Sequence, residues 1–292
     1  MTQSAEIANR ESEGGFRSPA CDFRVPAILG ILNITEDSFS DGGRYLAPDA
    51  ALAQARKLVE AGASVVDIGA AASNPEGAAV PPAEEIARLA PVVEALKKDG
   101  VAVSIDSFSP EVQRWAVAGR VDWLNDIHGF PEPAVYPLLA ASDAKLIVMH
   151  AVQERGCATR VAVDPADTIG RIFSFFERRI TALEKAGVAR SRLVLDPGMG
   201  FFLGDNPAAS FCALRHLPEL KKAFTLPILV SVSRKSFLRQ ATGRGPAEAG
   251  PATLAAELFA ACQGADYIRT HDPGALKDGL AVWVAALSGN KT

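Results

Sequence analysis

The sequence predicts a single-domain α/β fold, a (β/α)8 TIM barrel, and three observations lead to it. Short apolar runs of strand length alternate with stretches of helical period eight times, the pattern of a parallel sheet with helices outside it. The eight units fill residues 25–292, a length that an α/β barrel takes as one domain. No G-x-G-x-x-G follows the first strand, which argues against a dinucleotide-binding sheet.

The first 24 residues are polar, mixed in charge and without an apolar core. They read as a flexible tail, not a secretory signal. Ile28 to Leu32 then has the length of a buried strand and delivers Asn33 to its carboxyl end. A long polar loop follows and closes on Ser40-Asp41-Gly42-Gly43. Pro48 to Ala63 spaces Ala51, Leu52, Ala55, Leu58 and Val59 as a helix does, with Asp49 as a candidate N-cap. Ser64 to Ile68 is the second strand, leading into a small-residue loop, and Pro82 to Lys98 the second helix. The third strand, Val101 to Ile105, ends in Asp106, and a helix over Pro110 to Ala118 follows. Trp123-Leu124 ends the fourth strand at Asn125-Asp126, before a short helix over Glu132 to Ala141.

Lys145 to Met149 is the fifth strand, ending in His150. Asp167 to Ala186 is amphipathic around Ile172, Phe176, Ile180 and Leu183. Arg192 to Leu195 runs into Asp196-Pro197-Gly198, and a helix is expected over Ser210 to Ala223. The seventh strand, Ile228 to Val232, ends in Ser233-Arg234-Lys235-Ser236. An Ala-rich helix over Thr253 to Gln263 precedes the eighth strand, Asp266 to Ile268, which ends in Arg269-Thr270-His271-Asp272. Leu276 to Leu287 is the last helix.

Composition narrows the function. The chain has 292 residues, 48% of them hydrophobic, and a formal charge of -4. That mildly acidic balance gives no reason to expect nucleic acid or an anionic membrane as partner. No apolar run approaches the ~20 residues of a membrane span. Cys21, Cys157, Cys212 and Cys262 form no C-x-x-C pair, which fits a reducing cytoplasm and gives no sign of a zinc site.

In such a barrel the active site lies at the carboxyl ends of the strands. The residues there are Asn33, Asp67, Asp106, Asn125, His150, Asp196, Lys235, and Arg269 with His271. Taken singly, an Asp or Asn there reads as the cap of the following helix. Polar residues at all eight strand ends, converging on one rim, read as a shared site. Asp106, Asn125 and Asp196 suit a flat heterocycle bearing amino and amide groups. Lys235, Arg269 and His271 supply positive charge for a phosphate-like anion, and the helix opening near Ser236 offers free N–H groups. Asn33 has an oxygen able to ligate a hard cation. His150 has two readings, a ligand-side residue or a strand-end histidine bonded to backbone.

The blocks GILNITEDSFSDGG, SIDSFSPEV, LNDIHGF, LIVMH, LVLDPGMGF, VSVSRKSFL and YIRTHD resemble, in order, those of the dihydropteroate synthase family. The resemblance implies a cytoplasmic barrel transferase of folate synthesis, a homodimer. It would join 6-hydroxymethyl-7,8-dihydropterin diphosphate to p-aminobenzoate with magnesium and release pyrophosphate. It also implies that Asp106, Asn125, Asp196 and Lys235 hold the pterin, and that Asn33, Arg269 and His271 hold the diphosphate, Asn33 also the metal. Ser73, Phe201, Phe202 and Ser236 would border p-aminobenzoate. Asp106, Lys235, Arg269 and His271 would be the catalytic set.

Two blocks depart from the family's housekeeping pattern. Where that pattern reads E-S-T-R-P-G, this chain has Ala71-Ala72-Ser73-Asn74-Pro75-Glu76. Where it reads F-G-F-G-K, this chain has Met199-Gly200-Phe201-Phe202-Leu203. Both departures, with the block Asn125 to Pro131, are similar to the Sul-type synthases that escape sulfonamides. The alternatives are a pterin-binding methyltransferase on a related barrel, which needs no diphosphate loop, and a non-catalytic pterin binder. The intact Asn33, Lys235, Arg269 and His271 argue against the second.

Overall fold

Side chains alternate across a strand with a period of two, and that alternation decides what the barrel encloses. The computed structural model describes residues 24–34, 48–71, 80–153 and 155–288. Its parallel strands are β1 (Ala27–Asn33), β2 (Val65–Gly69), β3 (Val103–Asp106) and β4 (Trp123–Asp126). They continue as β5 (Lys145–Met149), β6 (Leu193–Asp196), β7 (Leu229–Val230) and β8 (Tyr267–Thr270). Strands consecutive in sequence pair from β1 to β6, and β8 lies between β7 and β1. Between β6 and β7 the ring is joined by the bridge from Leu195 to Ile228. There the Leu195 N–H donates to the Pro227 carbonyl at 2.9 Å.

The barrel is filled in layers. Leu29, Val65, Trp123, Ile147, Val194 and Leu229 form a closed apolar cluster inside it. Two residues further along the same strands, and so on the same face, stand Ile31, Asp67, Asn125, Met149, Asp196 and Ser231. Asp106 and Arg269 take the corresponding places after Ser104 and Tyr267. The apolar layer is thus a floor, and the polar layer above it faces the carboxyl-end mouth. Residues of opposite parity, such as Val66, Ile68, Ile105, Val148 and Ile268, join the core between sheet and helices.

The helices are α1 (Pro48–Glu60), α2 (Pro82–Lys98), α3 (Pro110–Ala118), α4 (Tyr136–Ala141) and α5 (Thr168–Lys185). They continue as α6 (Pro207–Arg215), α7 (Leu217–Phe224), α8 (Ser236–Thr242), α9 (Gly250–Cys262) and α10 (Pro273–Ser288). Caps set their starts. Ser109 accepts from the Val112 N–H and Asn206 from the Ala208 N–H, each just before a proline in the first turn. None of the described helices is long and apolar enough to cross a membrane.

Two elements differ from the sequence reading. The helix expected over Ser210 to Ala223 is two helices meeting at His216. Pro218 has no N–H to continue the first one and is tolerated only in the first turn of the second. The seventh strand is two residues long, because Val232 already accepts from the Lys235 N–H in a turn and Arg234 has φ 59°. The tail up to residue 23, the loop after Ile34, and Ser73 with Asn74 lie outside the described residues.

Gly198 ties the end of β6 to that of β5. Its φ is +74°, and a Cβ there would stand 2.2 Å from the His150 carbonyl oxygen. Gly198→Ala should therefore destabilise the fold by about 2 kcal/mol or more, read as a lower midpoint in denaturant. An unchanged midpoint would show that the two strand ends part freely.

Candidate active site

The polar layer closes around one arginine. Arg269, at the inward face of β8, donates through Nε to Asp67 on β2 and through Nη2 to Asp106 on β3 at 2.6 Å. The side chains of Arg269, Asp67 and Asp106 are 13%, 0% and 15% exposed, so all three have left bulk water. Asn125 donates to the same Asp67 oxygen at 3.4 Å. Asp196 is buried and accepts from the Gly198 N–H at 2.8 Å. Lys235, just before α8, sets its Nζ 4.6 Å from the centre of the Phe202 ring.

These groups line one cavity. Asp106, Asn125, Asp196, Lys235 and Arg269 form its polar wall, with Ser231; Ile127, Met149, Met199 and Phe202 form the apolar wall. The space is a slot between polar edges and flat apolar surfaces. Within the polar layer Asp67 Oδ1, Asn125 Oδ1 and Ser231 Oγ are buried without a hydrogen-bond partner. Buried polar atoms are rarely left so. Two of the three accept only, which calls for a ligand carrying N–H donors.

Charge supports the same conclusion. Three carboxyls, Asp67, Asp106 and Asp196, face two cations, Lys235 and Arg269. Burial lifts Asp106 to about 7, with Arg269 opposing and Asp67 adding to the rise. Burial lifts Asp196 to about 6, opposed by the Gly198 N–H and by Lys235. Burial and then Arg269 lower Lys235 to about 8, against the pull of Asp196 and Asp106. Arg269 is held charged, because Asp67 and Asp106 outweigh its own burial. The cavity is therefore poised to accept hydrogen bonds from a ligand and to stabilise positive charge within it.

His271 lies at the loop end of β8, where its Nδ1 is 2.9 Å from Ser233 Oγ and its N–H donates to the same oxygen at 3.2 Å. Burial first, then Arg234, Arg269 and Lys235, lower it to about 3. The expectation that His271 brings positive charge is thus corrected by its burial among these cations. Its ring is neutral and offers a hydrogen bond. His150 follows the backbone reading: it is buried, its Nδ1 lies 3.2 Å from the Pro197 carbonyl, and burial lowers it to about 4. Asn33 is exposed at the tip of β1, paired in register with Gly69.

Phe201 and Phe202 sit on a 3-10 turn over Gly200–Leu203. Loop residues after β5 pin the turn: the Val152 N–H donates to the Phe202 carbonyl at 2.8 Å and Gln153 Nε2 to the Phe201 carbonyl at 3.2 Å. Phe202 is buried in the cavity wall. Phe201 is half-buried, with the Arg160 guanidinium 5.2 Å from its ring centre. Ser236 reaches this turn from α8, close beside Gly200. The structure so brings Asp106, Asn125, Asp196, Lys235, Arg269 and Phe202 onto one cavity, with Phe201 on the turn at its side and Ser236 of α8 beside that turn.

Two cavity-layer residues had no assigned role in the sequence. Asp67 is a rim position whose partner is 202 residues away. Ser231 hides within an apolar run, and only its parity with Leu229 places it inside.

Comparison with known proteins agrees with this geometry. Residues 29–271 match the family model described as pterin binding enzyme. The chain is 60% identical to dihydropteroate synthase type-2 of Escherichia coli over 258 residues, covering 88% of this chain and 95% of that one. It is similar in structure to Xanthomonas albilineans dihydropteroate synthase with 4-aminobenzoic acid, with TM-score 0.82, 37% identity and coverage of 90% and 93%. The same enzyme in complex with 7,8-dihydropteroate superposes with TM-score 0.79 at 37% identity, covering 90% and 94%.

Proposed function

The chain belongs to the family of pterin-binding enzymes, and on that premise we infer from its site that it is a dihydropteroate synthase. It condenses 6-hydroxymethyl-7,8-dihydropterin diphosphate with p-aminobenzoate in folate biosynthesis and releases pyrophosphate. The observation that carries this reading is the slot lined by Asp106, Asn125 and Asp196, in which Asn125 Oδ1 is buried and unpartnered. A pterin is flat, carries amino and amide N–H groups on its edge, and fits between Met149, Met199 and Phe202.

In this reading Asp106, Asn125 and Asp196 accept from the pterin edge, and Lys235 donates to its acceptors. Arg269 keeps N–H groups beyond those given to Asp67 and Asp106, and these reach the diphosphate end with His271. The bond from the pterin methylene to diphosphate oxygen breaks, and its electron pair leaves with pyrophosphate. The methylene becomes cationic in character, and the surplus carboxyl charge below it stabilises that development. The amine of p-aminobenzoate then forms the C–N bond and gives up a proton to solvent. The aniline nitrogen is already nucleophilic, so binding and orientation suffice.

Magnesium fits Asn33. It keeps most of its water, takes one or two protein oxygens and binds substrate phosphates, and an exposed amide oxygen at the rim is such a donor. When bound with the diphosphate it supplies neutralising charge on the leaving group. The homodimer and the cytoplasmic setting belong to the same proposal. Exposed Phe259 on α9 and Val282, Trp283 and Leu287 on α10 support a paired face.

Insensitivity to sulfonamides is the second part. These drugs copy p-aminobenzoate at the aniline end but carry a tetrahedral sulfonyl where the substrate has a planar carboxylate. Phe202 is committed to the cavity wall, which leaves half-buried Phe201, on its pinned turn, as the gate at the far end of the ring. Exclusion at that end spares the smaller substrate.

Purified protein given both substrates and magnesium should release pyrophosphate and form dihydropteroate. Release of neither, from folded protein, would contradict the proposal. Phe201→Gly should tighten inhibition by a sulfonamide about a hundredfold, a ~3 kcal/mol effect, with the p-aminobenzoate KM changed only a few-fold. Phe202→Gly should instead weaken pterin binding. A Phe201→Gly enzyme as resistant as wild type would move the discrimination to the loop around Ser73 and Asn74.

A further inference from the structure

His128 stands in the loop after β4, close past the strand end that gives Asn125 to the slot, and is 5% exposed. Its backbone N–H donates to Asp126 Oδ1 at 2.8 Å, and Asp126 Oδ2 accepts from Gln113 Nε2 of α3 at 2.8 Å. Its ring packs edge-on against Phe108, with ring centres 5.5 Å apart. Elements on its own side of the barrel thus fix where the ring stands. From there Nε2 lies 2.8 Å from the Gly156 carbonyl oxygen, in the loop after β5. A carbonyl only accepts, so the proton sits on Nε2. Nδ1 is buried without a partner, which leaves the Gly156 bond as the ring's one polar tie among the described residues.

The described residues between Met149 and Pro165 form no helix or strand, so this loop takes its place from what ties it. Its other contacts go to the turn that bears Phe201 and Phe202. The Val152 N–H donates to the Phe202 carbonyl at 2.8 Å, Gln153 Nε2 to the Phe201 carbonyl at 3.2 Å, and the Asp205 N–H to the Val161 carbonyl at 2.9 Å. Gln153 Nε2 also donates to the Thr159 carbonyl at 3.0 Å, drawing the two limbs of the loop together. Ala158 is buried with Ile127, Met149 and Phe202. The neighbouring tie to the β4 loop, Arg155 to Glu132 at 3.6 Å, is exposed and therefore weak. The loops after β4, β5 and β6 are so coupled in series, from His128 through Gly156 to Phe201.

We propose that His128 is a positioning residue for the Phe201–Phe202 turn: by donating Nε2–H to Gly156 it holds the β5 loop against that turn, and so sets how strictly the second substrate's ring is sized. The effect on sizing rests on Phe201 being the gate of the proposed function. A gate rejects a larger ligand only while it resists displacement. The inner end of the turn is held from α6, where Ser210 Oγ accepts from the Gly200 N–H at 2.9 Å. Its outer end, at the Phe201 and Phe202 carbonyls, is held by the β5 loop. Freed from His128, that loop can recede and Phe201 with it, which opens room for a sulfonyl. Asp106, Asn125 and Asp196 stand on strands, so the pterin end keeps its geometry.

Two measurements test this together: hydrogen exchange at the Val152 and Asp205 amides, read by NMR, and the sulfonamide inhibition constant divided by the KM for p-aminobenzoate. His128→Phe keeps a ring against Phe108 and loses the donor. It should speed exchange at both amides and lower the ratio about tenfold, with the KM for pterin diphosphate within about twofold of wild type. His128→Gln carries an amide N–H to the place of Nε2 and should restore both readings. If His128→Phe does not fold, His128→Asn, whose amide is too short to reach Gly156, takes its place. Added to Phe201→Gly, His128→Phe should lower the ratio no further, because its effect passes through Phe201. Wild-type exchange at both amides in a folded variant without the donor overturns the positioning role. Faster exchange with an unchanged ratio, where Phe201→Gly alone changes it, overturns the link to the gate, as does a further fall in the double variant. If Phe201→Gly itself leaves the ratio unchanged, the gate reading fails, while faster exchange still upholds the positioning of the turn.

Discussion

Arg269 reaches from β8 past β1 to carboxyls on β2 and β3, and this buried clasp is the constraint on which the rest of the site depends. Its partners lie 202 and 163 residues away in the chain. Only closure of the barrel brings them together. Buried charges survive only when paired, and breaking such a pair typically costs about 3–5 kcal/mol. The clasp makes the mouth of the barrel intolerant of misregister. A one-residue slip of β2 or β8 would turn Asp67 or Arg269 outward, into the layer of Val66 and Ile268.

The same clasp sets the chemistry. Arg269 and Lys235 face three carboxyls, and above the pH of about 7 at which buried Asp106 ionises the carboxyls outnumber the two cations. In the proposed reaction that surplus, held out of water, would act strongly on a cationic methylene. The rim is graded from there outward. Acceptors sit deep, neutral His271 and the remaining N–H groups of Arg269 sit at the mouth, and Asn33 is exposed beyond them. A substrate that is a flat heterocycle at one end and a diphosphate at the other matches this order. In the proposed function the Phe201–Phe202 turn is the wall on which the second substrate's ring is judged by size.

Much of this was legible in the chain because the barrel turns sequence position into place. Each strand ends at one rim, so Asp106, Asn125, Asp196, Lys235 and Arg269 were visible as a set before their contacts were known. The resemblance to a known family then gave them roles. What stayed hidden depends on partners brought from other strands. Asp67 gave no sign that it would hold Arg269. The lowered pKa of His271 follows from its burial and then from Arg234, Arg269 and Lys235 around it, and no local pattern carries that. The break at His216 was the opposite case, since Pro218 marked it in the sequence and helical spacing concealed it.

The surplus of buried carboxyl charge over Lys235 and Arg269 is tested most directly by the pH dependence of kcat/KM for the pterin diphosphate, at saturating p-aminobenzoate. Binding needs Asp196 and Asp106 ionised, so the value should rise as pH passes about 6 to 7. It needs Lys235 protonated, so it should fall as pH passes about 8. The account predicts a bell between those limbs, with a shallower acid limb, set by Asp106 alone near 7, in Asp196→Asn. A profile flat from pH 5 to pH 9, or one whose acid limb is unchanged in Asp196→Asn, would contradict it.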